Sequence, residues 1–248
     1  MEGDSKKHGF FMLAEMVLII VGITAALQLD NWTSNSEDRR NERALLEQLQ
    51  GEFEQIKLII NKNLENLNDR DVSGLQLYSS CGLKKPDFPD DEVVNLLADV
   101  FSNYQLNLYQ GALEDAINTG KLSLVENDEL RIKLYAWKNG VIRIQDFNST
   151  TNQDVMQFLR EIYHTISFRN YDNNYYPEIG IGESEFVSDP NEIFNTIYFE
   201  NQVGVLFFRN KRLIEFYEEN LTEPLDRILT LIESELLKSP NLKHTQKN

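Results

Sequence analysis

Apolar positions along the chain recur at helical spacing almost from end to end, and the first of them form an unbroken run, FFMLAEMVLIIVGITAALQL, from Phe10 to Leu29. Its strongly polar members are Glu15, Thr24 and Gln28. At about 1.5 Å per residue the run spans about 30 Å, the thickness of one hydrocarbon core. Phe10 and Phe11 open it and Trp32 follows it, which is the placement of an aromatic belt. The pattern predicts a short tail over 1–9 and a transmembrane helix with its interface over 10–32. A cleaved signal peptide fits less well, because Glu15 comes early and the apolar stretch continues past the small residues near Ala26. A buried soluble helix is the other alternative.

A helix turns about 100° per residue, so Ile19, Gly22, Ala26 and Leu29 all fall within about 40° of Glu15. Gly22 and Ala26 form a small-xxx-small pair that lets a second helix approach closely. Glu15 on that face is a candidate for a hydrogen bond across the contact. A carboxyl that snorkels to the headgroups explains the same residue. Lys6 and Lys7 precede the span and Arg39, Arg40 and Arg43 follow it, so the basic residues are nearly balanced. A short tail with two lysines is what a signal-anchor retains inside, which places the bulk of the chain outside the cytoplasmic membrane.

Beyond the span, Ser34-Asn35-Ser36-Glu37 fits a capping box that restarts a helix, with a continuous helix as the alternative. Leu46, Leu49, Phe53, Ile56, Ile60 and Leu67 then repeat at spacings of three and four, with Asn63 as one polar position. This is a coiled-coil-like seam, and an ordinary bundle helix shows the same stripe. Residues 33–80 therefore read as a long amphipathic helical segment. Gly82, Pro86 and Pro89 break the pattern, and residues 81–239 read as a helical bundle.

Within that bundle, Asp90 and Asp91 open a helix through Val93, Val94, Leu96 and Leu97. Asn118-Thr119-Gly120 ends another, with Gly120 suited to a left-handed cap. Asn127-Asp128-Glu129 starts a helix that runs past Trp137 toward Phe168, with Gly140 and Asn148 as candidate breaks. Arg169 to Pro190 is the predicted long loop, followed by a helix from Asp189-Pro190 through Tyr198 and another over Leu206 to Glu219. Thr222 is the expected cap of a last helix carrying Leu225, Ile228, Leu229, Ile232 and Leu236. Residues 240–248 form a tail.

Composition narrows the functional classes. The net charge is −16, which opposes nucleic-acid and anionic-lipid binding by the soluble part. With Cys81 as the single cysteine no intrachain disulfide exists; a buried thiol or an interchain disulfide are its two readings. His8, His164 and His244 lack metal-site spacing. Asp172, Asn173, Asn174 and Glu178 gather oxygen ligands without the pattern of a calcium loop. The chain has no phosphate-binding glycine loop and no Gly-x-Ser-x-Gly elbow, so neither a catalytic residue nor a metal or cofactor is assigned, and an enzyme is not expected. Asn31, Asn148 and Asn220 begin Asn-x-Ser/Thr triplets at the frequency chance allows in an Asn-rich chain.

Two stretches carry a family resemblance. Ala26-Leu27-Gln28-Leu29-Asp30-Asn31-Trp32 closes the span, and Gly120-Lys121-Leu122 leads through Val125 and Asn127 to Leu130-Arg131. Together they resemble a family of uncharacterised bacterial single-span membrane proteins, a domain of unknown function whose N-terminal span ends in an Ala-Leu-Gln-x-x-Asn-Trp-like signature. The resemblance implies an uncleaved span and a bacterial inner-membrane location; it assigns no activity and no site residue. The sequence thus predicts an all-α protein: an N-terminal transmembrane helix, a long amphipathic helix and a multi-helix bundle, with the bundle periplasmic. Its expected role is interaction or scaffolding, as a homo-oligomer or with a membrane-protein partner, through the Glu15, Ile19, Gly22, Ala26 face and the Leu46–Leu67 seam. The alternative is a small-molecule sensor that signals through a separate partner, with Arg169–Pro190 as a lid over its pocket.

Overall fold

The structure, a computed structural model, describes residues 3–82, 88–103, 105–169, 172, 176–182, 184–186 and 189–238; the side chains of 3–22, 25–27, 29–35 and 90 lie outside that description. The described chain is helical, with six α-helices: α1 (Gly3–Ser80), α2 (Asp90–Phe101), α3 (Gly111–Asn118), α4 (Asp128–Ile162), α5 (Ile197–Tyr217) and α6 (Glu223–Lys238). Among the described residues there is no strand. The chain does not restart at Ser36: α1 is one helix of 78 residues.

Long helices explain the sequence pattern because each uses one apolar stripe over its whole length. Leu46, Leu49, Phe53, Ile56, Ile60 and Leu67 are all buried, and they face α3, α4, α5 and α6 of the same chain. The seam is therefore the spine of the bundle, and a partner helix cannot use it. Asn63 stands at its edge, where its side chain donates to the Ile59 carbonyl at 2.9 Å and Leu64 packs inward beside it. The amphipathic segment 33–80 and the bundle 81–239 share one core, so residue 80 ends a helix without separating two packing units.

That core has two parts. One gathers α1 from Leu45 to Leu67, α3, the first half of α4, the end of α5 and α6; Phe53 and Trp137 meet edge to face at 5.3 Å within it. The other gathers Leu77, α2, the second half of α4, Ile193, Phe194 and the first half of α5. Between them each long helix places buried polar residues: Arg70 and Ser73 on α1, Asn148 and Thr151 on α4, Asn210 on α5. Asn210 donates to the Leu67 carbonyl at 2.9 Å, so this polar belt also fixes the register of α5 on α1.

The helix ends follow local chemistry. Gly120 is left-handed (φ 75°) after α3, and the Asn127 side chain accepts from the Leu130 amide to open α4. α4 then runs unbroken through Gly140 and Asn148 to Ile162. Two expectations differ. Pro190–Asn195 is a separate 3-10 turn, and Thr196 leaves it in an extended conformation to cap α5 through its hydroxyl, so one helix covers 197–217. Thr222 caps nothing: a π-helical turn, Glu218–Thr222, carries α5 directly into α6.

Candidate functional site

Among the described side chains of α1, a helix of 78 residues, the first buried one is Glu42. Where the rod enters, polar groups close the junction. Glu42 accepts from the Glu126 amide at 2.8 Å, Arg39 reaches Glu126 at 2.7 Å, and Arg43 donates to the Leu236 carbonyl at 2.9 Å. Burial pushes the Glu235 carboxyl up, but hydrogen bonds from Lys238 and Asn127 and the charge of Arg39 together hold it below its usual range. From Leu29 to Glu42 an ideal helix rises about 20 Å.

The Phe10–Leu29 run lies within α1, and the side chains of Glu15, Ile19, Gly22 and Ala26 lie outside the described ones. Ile23, Thr24 and Gln28 are exposed. Among the described residues searched, no helix is long and apolar enough to cross a membrane.

Continuity of α1 relates its two candidate faces by rotation alone. With Leu58 at zero and about 100° per residue, positions 15, 22 and 26 of a straight helix fall within about 40° of it and position 19 at about 60°. The seam falls on the other side, with Leu49 and Leu67 at about 180°. On an ideal straight helix the two expected surfaces would therefore fall on opposite sides. What continues the Gly22 side into the bundle is a row at seven-residue spacing that the large-residue pattern hides: Ala44, Gly51, Leu58, Glu65 and Val72. All five are exposed, Leu58 to 62% and Val72 to 67%, and a Cβ at Gly51 would touch nothing within 4 Å. The one charge in the row, Glu65, pairs with Lys62 at 2.8 Å, and that hydrogen bond raises the Lys62 ammonium.

Two depressions mark the sides of the bundle. A shallow groove of about 500 Å³ follows α5 past Gly204, Val205 and Phe208, walled by Tyr78 and Phe147. Gly204 lets the Tyr78 ring lie close to α5, since a Cβ there would be 2.9 Å from the ring and would push it aside. Its cations are engaged: Arg209 with Asp154, and Arg212 with Glu215 and the Phe216 ring. The second depression is polar, and its Arg70 donates to the Asp99 carbonyl and the Ser102 hydroxyl. That arginine holds the last carbonyls of α2 in place, a structural task. Neither depression is lined by a residue of Arg169–Pro190.

The remaining candidates are dispersed. Cys81 is half-buried against the second core, its thiol donating to the Leu77 carbonyl, and burial pushes it up to about 11. Asn148 is buried in α4, which rules out glycosylation in the folded chain. Asn173 and Asn174 lie outside the described residues, and among those described no group of three or more acidic, His or Cys side chains is placed to hold a metal ion.

No family model matches this chain, and no curated protein or solved structure is similar to it.

Proposed function

We propose that this protein is a single-pass, membrane-anchored interaction protein. The Phe10–Leu29 run holds it in the bacterial inner membrane, the bundle stands on the periplasmic side, and two copies pair side by side along α1. The observation that carries the reading is the uninterrupted α1 helix, which joins the apolar run to the bundle and leaves Ala44, Gly51, Leu58, Glu65 and Val72 exposed along one side. Small residues in the apolar half let two backbones approach, and the outer row lets the same approach continue into the bundle. A rigid rod shared by span and core also couples the two, since turning one turns the other. The resemblance in the Ala26–Trp32 segment supports the anchor, and the absence of catalytic motifs from the sequence supports a role in binding.

A membrane two-hybrid assay on the full chain tests this. Gly22→Leu combined with Ala26→Leu weakens self-association, and Leu58→Arg on the same side of the rod weakens it too. Association that survives both changes removes the proposed pairing.

A further inference from the structure

Large apolar side chains left in water concentrate at one end of the bundle. Tyr163, Tyr176, Ile179, Ile181, Phe186, Ile197 and Tyr198 are all exposed, Phe186 to 85% and Ile197 to 77%. All seven belong to the connection from α4 to α5 and the first turn of α5. This end is also where α1 finishes, since the Gly82 amide donates to the Phe194 carbonyl at 3.0 Å. From Glu42 to Ser80 the rod covers 39 residues, about 57 Å, so the apolar end is remote from the anchor.

Arg169 bonds to the described part of this connection, whose Ile179, Ile181 and Phe186 belong to neither core. Arg169 donates through Nε to the Gly182 carbonyl at 3.1 Å and through Nη2 to the Ile181 carbonyl. Pro177–Ile179 is a 3-10 turn that Gly180 ends in the left-handed conformation (φ 65°), and Gly182 is left-handed as well (φ 69°). Ile166, Ile193, Phe194 and Phe199 pack together in the second core, with Phe194 and Phe199 edge to face at 5.5 Å. Exposed aromatic and isoleucine side chains gathered in one connection are the composition of an interface centre.

Charge selects the occupant. From Tyr163 to Tyr198 the sequence has six carboxylates (Asp172, Glu178, Glu183, Glu185, Asp189, Glu192) against one arginine, a net charge of −5. That arginine is Arg169, whose guanidinium is bonded to main-chain carbonyls. Among the described residues, Asp172, Glu178, Glu185 and Glu192 form no ion pair. A stretch with this excess of carboxylates repels anionic lipid and nucleic acid and attracts cationic groups.

We infer that Ile179, Ile181, Phe186 and Ile197, exposed in the α4–α5 connection and the first turn of α5, form a docking surface for a basic, amphipathic segment of another protein, whose apolar side chains cover them while its lysines or arginines meet the carboxylates of the same stretch. The inference deepens the interaction reading above and names its partner class. The probe is a synthetic amphipathic helix of leucine and lysine, titrated against the full chain in nanodiscs of zwitterionic lipid, with a leucine–glutamate helix and anionic vesicles in parallel. The leucine–lysine helix binds, and its affinity falls at least tenfold in Phe186→Ser/Ile197→Ser and in Glu178→Lys/Glu185→Lys. It is unchanged in Glu218→Lys/Glu219→Lys, which alters the same charge on the π turn. All three variants keep the wild-type unfolding temperature and the self-association signal, so loss of docking and loss of pairing are read separately. Equal weakening by the π-turn variant, no binding by the leucine–lysine helix, or preferential binding of the leucine–glutamate helix or of anionic vesicles overturns the inference.

Discussion

The main-chain oxygen of Asn220 occupies the space that a side chain on Gly140 would need: a Cβ there would lie 2.6 Å from it. Asn220 sits in the π-helical turn that joins α5 to α6, and Gly140 sits in mid-α4. A helix-weakening residue inside α4 thus has a packing reason, since it receives the carbonyl that the π turn pushes outward. Gly140→Ala destabilises the bundle by about 1–3 kcal/mol, because main chain rather than a flexible side chain must yield. In the unpaired chain Gly51→Ala stabilises by about 0.5–1 kcal/mol, because there its Cβ meets nothing within 4 Å and the helix gains the propensity of alanine. Urea unfolding followed by circular dichroism gives both; equal effects of the two changes contradict this assignment.

Helix α3 is capped from another helix. The Ala112 and Leu113 amides donate to the two oxygens of Glu52 at 2.7 and 3.0 Å. Gln110, the residue before α3, cannot serve because its side-chain carbonyl accepts from Trp137 Nε1 at 2.8 Å. Glu52→Ala leaves two helix N–H groups without a partner and costs about 1–3 kcal/mol. Hydrogen exchange localises the effect: amides of 112–118 lose protection first, whereas uniform loss over α4 and α6 contradicts the cap.

Tyr217 makes the fold sensitive to alkali. Burial pushes its phenol from about 10 up to about 12, with the Asn148 amide pulling weakly the other way. Between these values the unfolded chain has released a proton that the folded chain keeps. The unfolded state then binds fewer protons, so stability falls as pH rises from about 10 to about 12, by up to about 3 kcal/mol. Cys81 acts in the same direction from about 9 to about 11, so the comparison is made in Cys81→Ser chains. The drop in urea midpoint between pH 9.5 and 11.5 is smaller in Tyr217→Phe; an unchanged drop places the titrating group elsewhere.

Much of the fold could be read from the residues because its determinants are local. Gly120 and Asn127 state their caps within three residues, and the Leu46–Leu67 stripe names its own buried face. What escaped was set at long range. The π turn depends on the space above Gly140, eighty residues away, so Thr222 looked like a cap. Phe194 and Tyr198 share an apolar pattern that hides the break at Thr196. The outer row of α1 was missed because Ala44 and Gly51 carry little hydropathy and stand between larger residues of the opposite face. In the Arg169–Pro190 loop the tyrosines and glycines predict a lid, whereas Ile179, Ile181 and Phe186 are exposed and line neither depression, an outcome of tertiary packing that no local pattern displays.

The central claim is that α1 pairs two copies along the side opposite its buried seam, and disulfide cross-linking in native membranes tests it most directly. In a Cys81→Ser background, Leu58→Cys places a thiol in the outer row, and Gln55→Cys and Ile59→Cys place it at about 60° and 100° from that row. The account predicts a dimer-mass band under mild oxidation that is strongest for position 58, falls for 55 and 59, and is abolished by Gly22→Leu/Ala26→Leu. Equal cross-linking at all three positions, or none at 58, contradicts it.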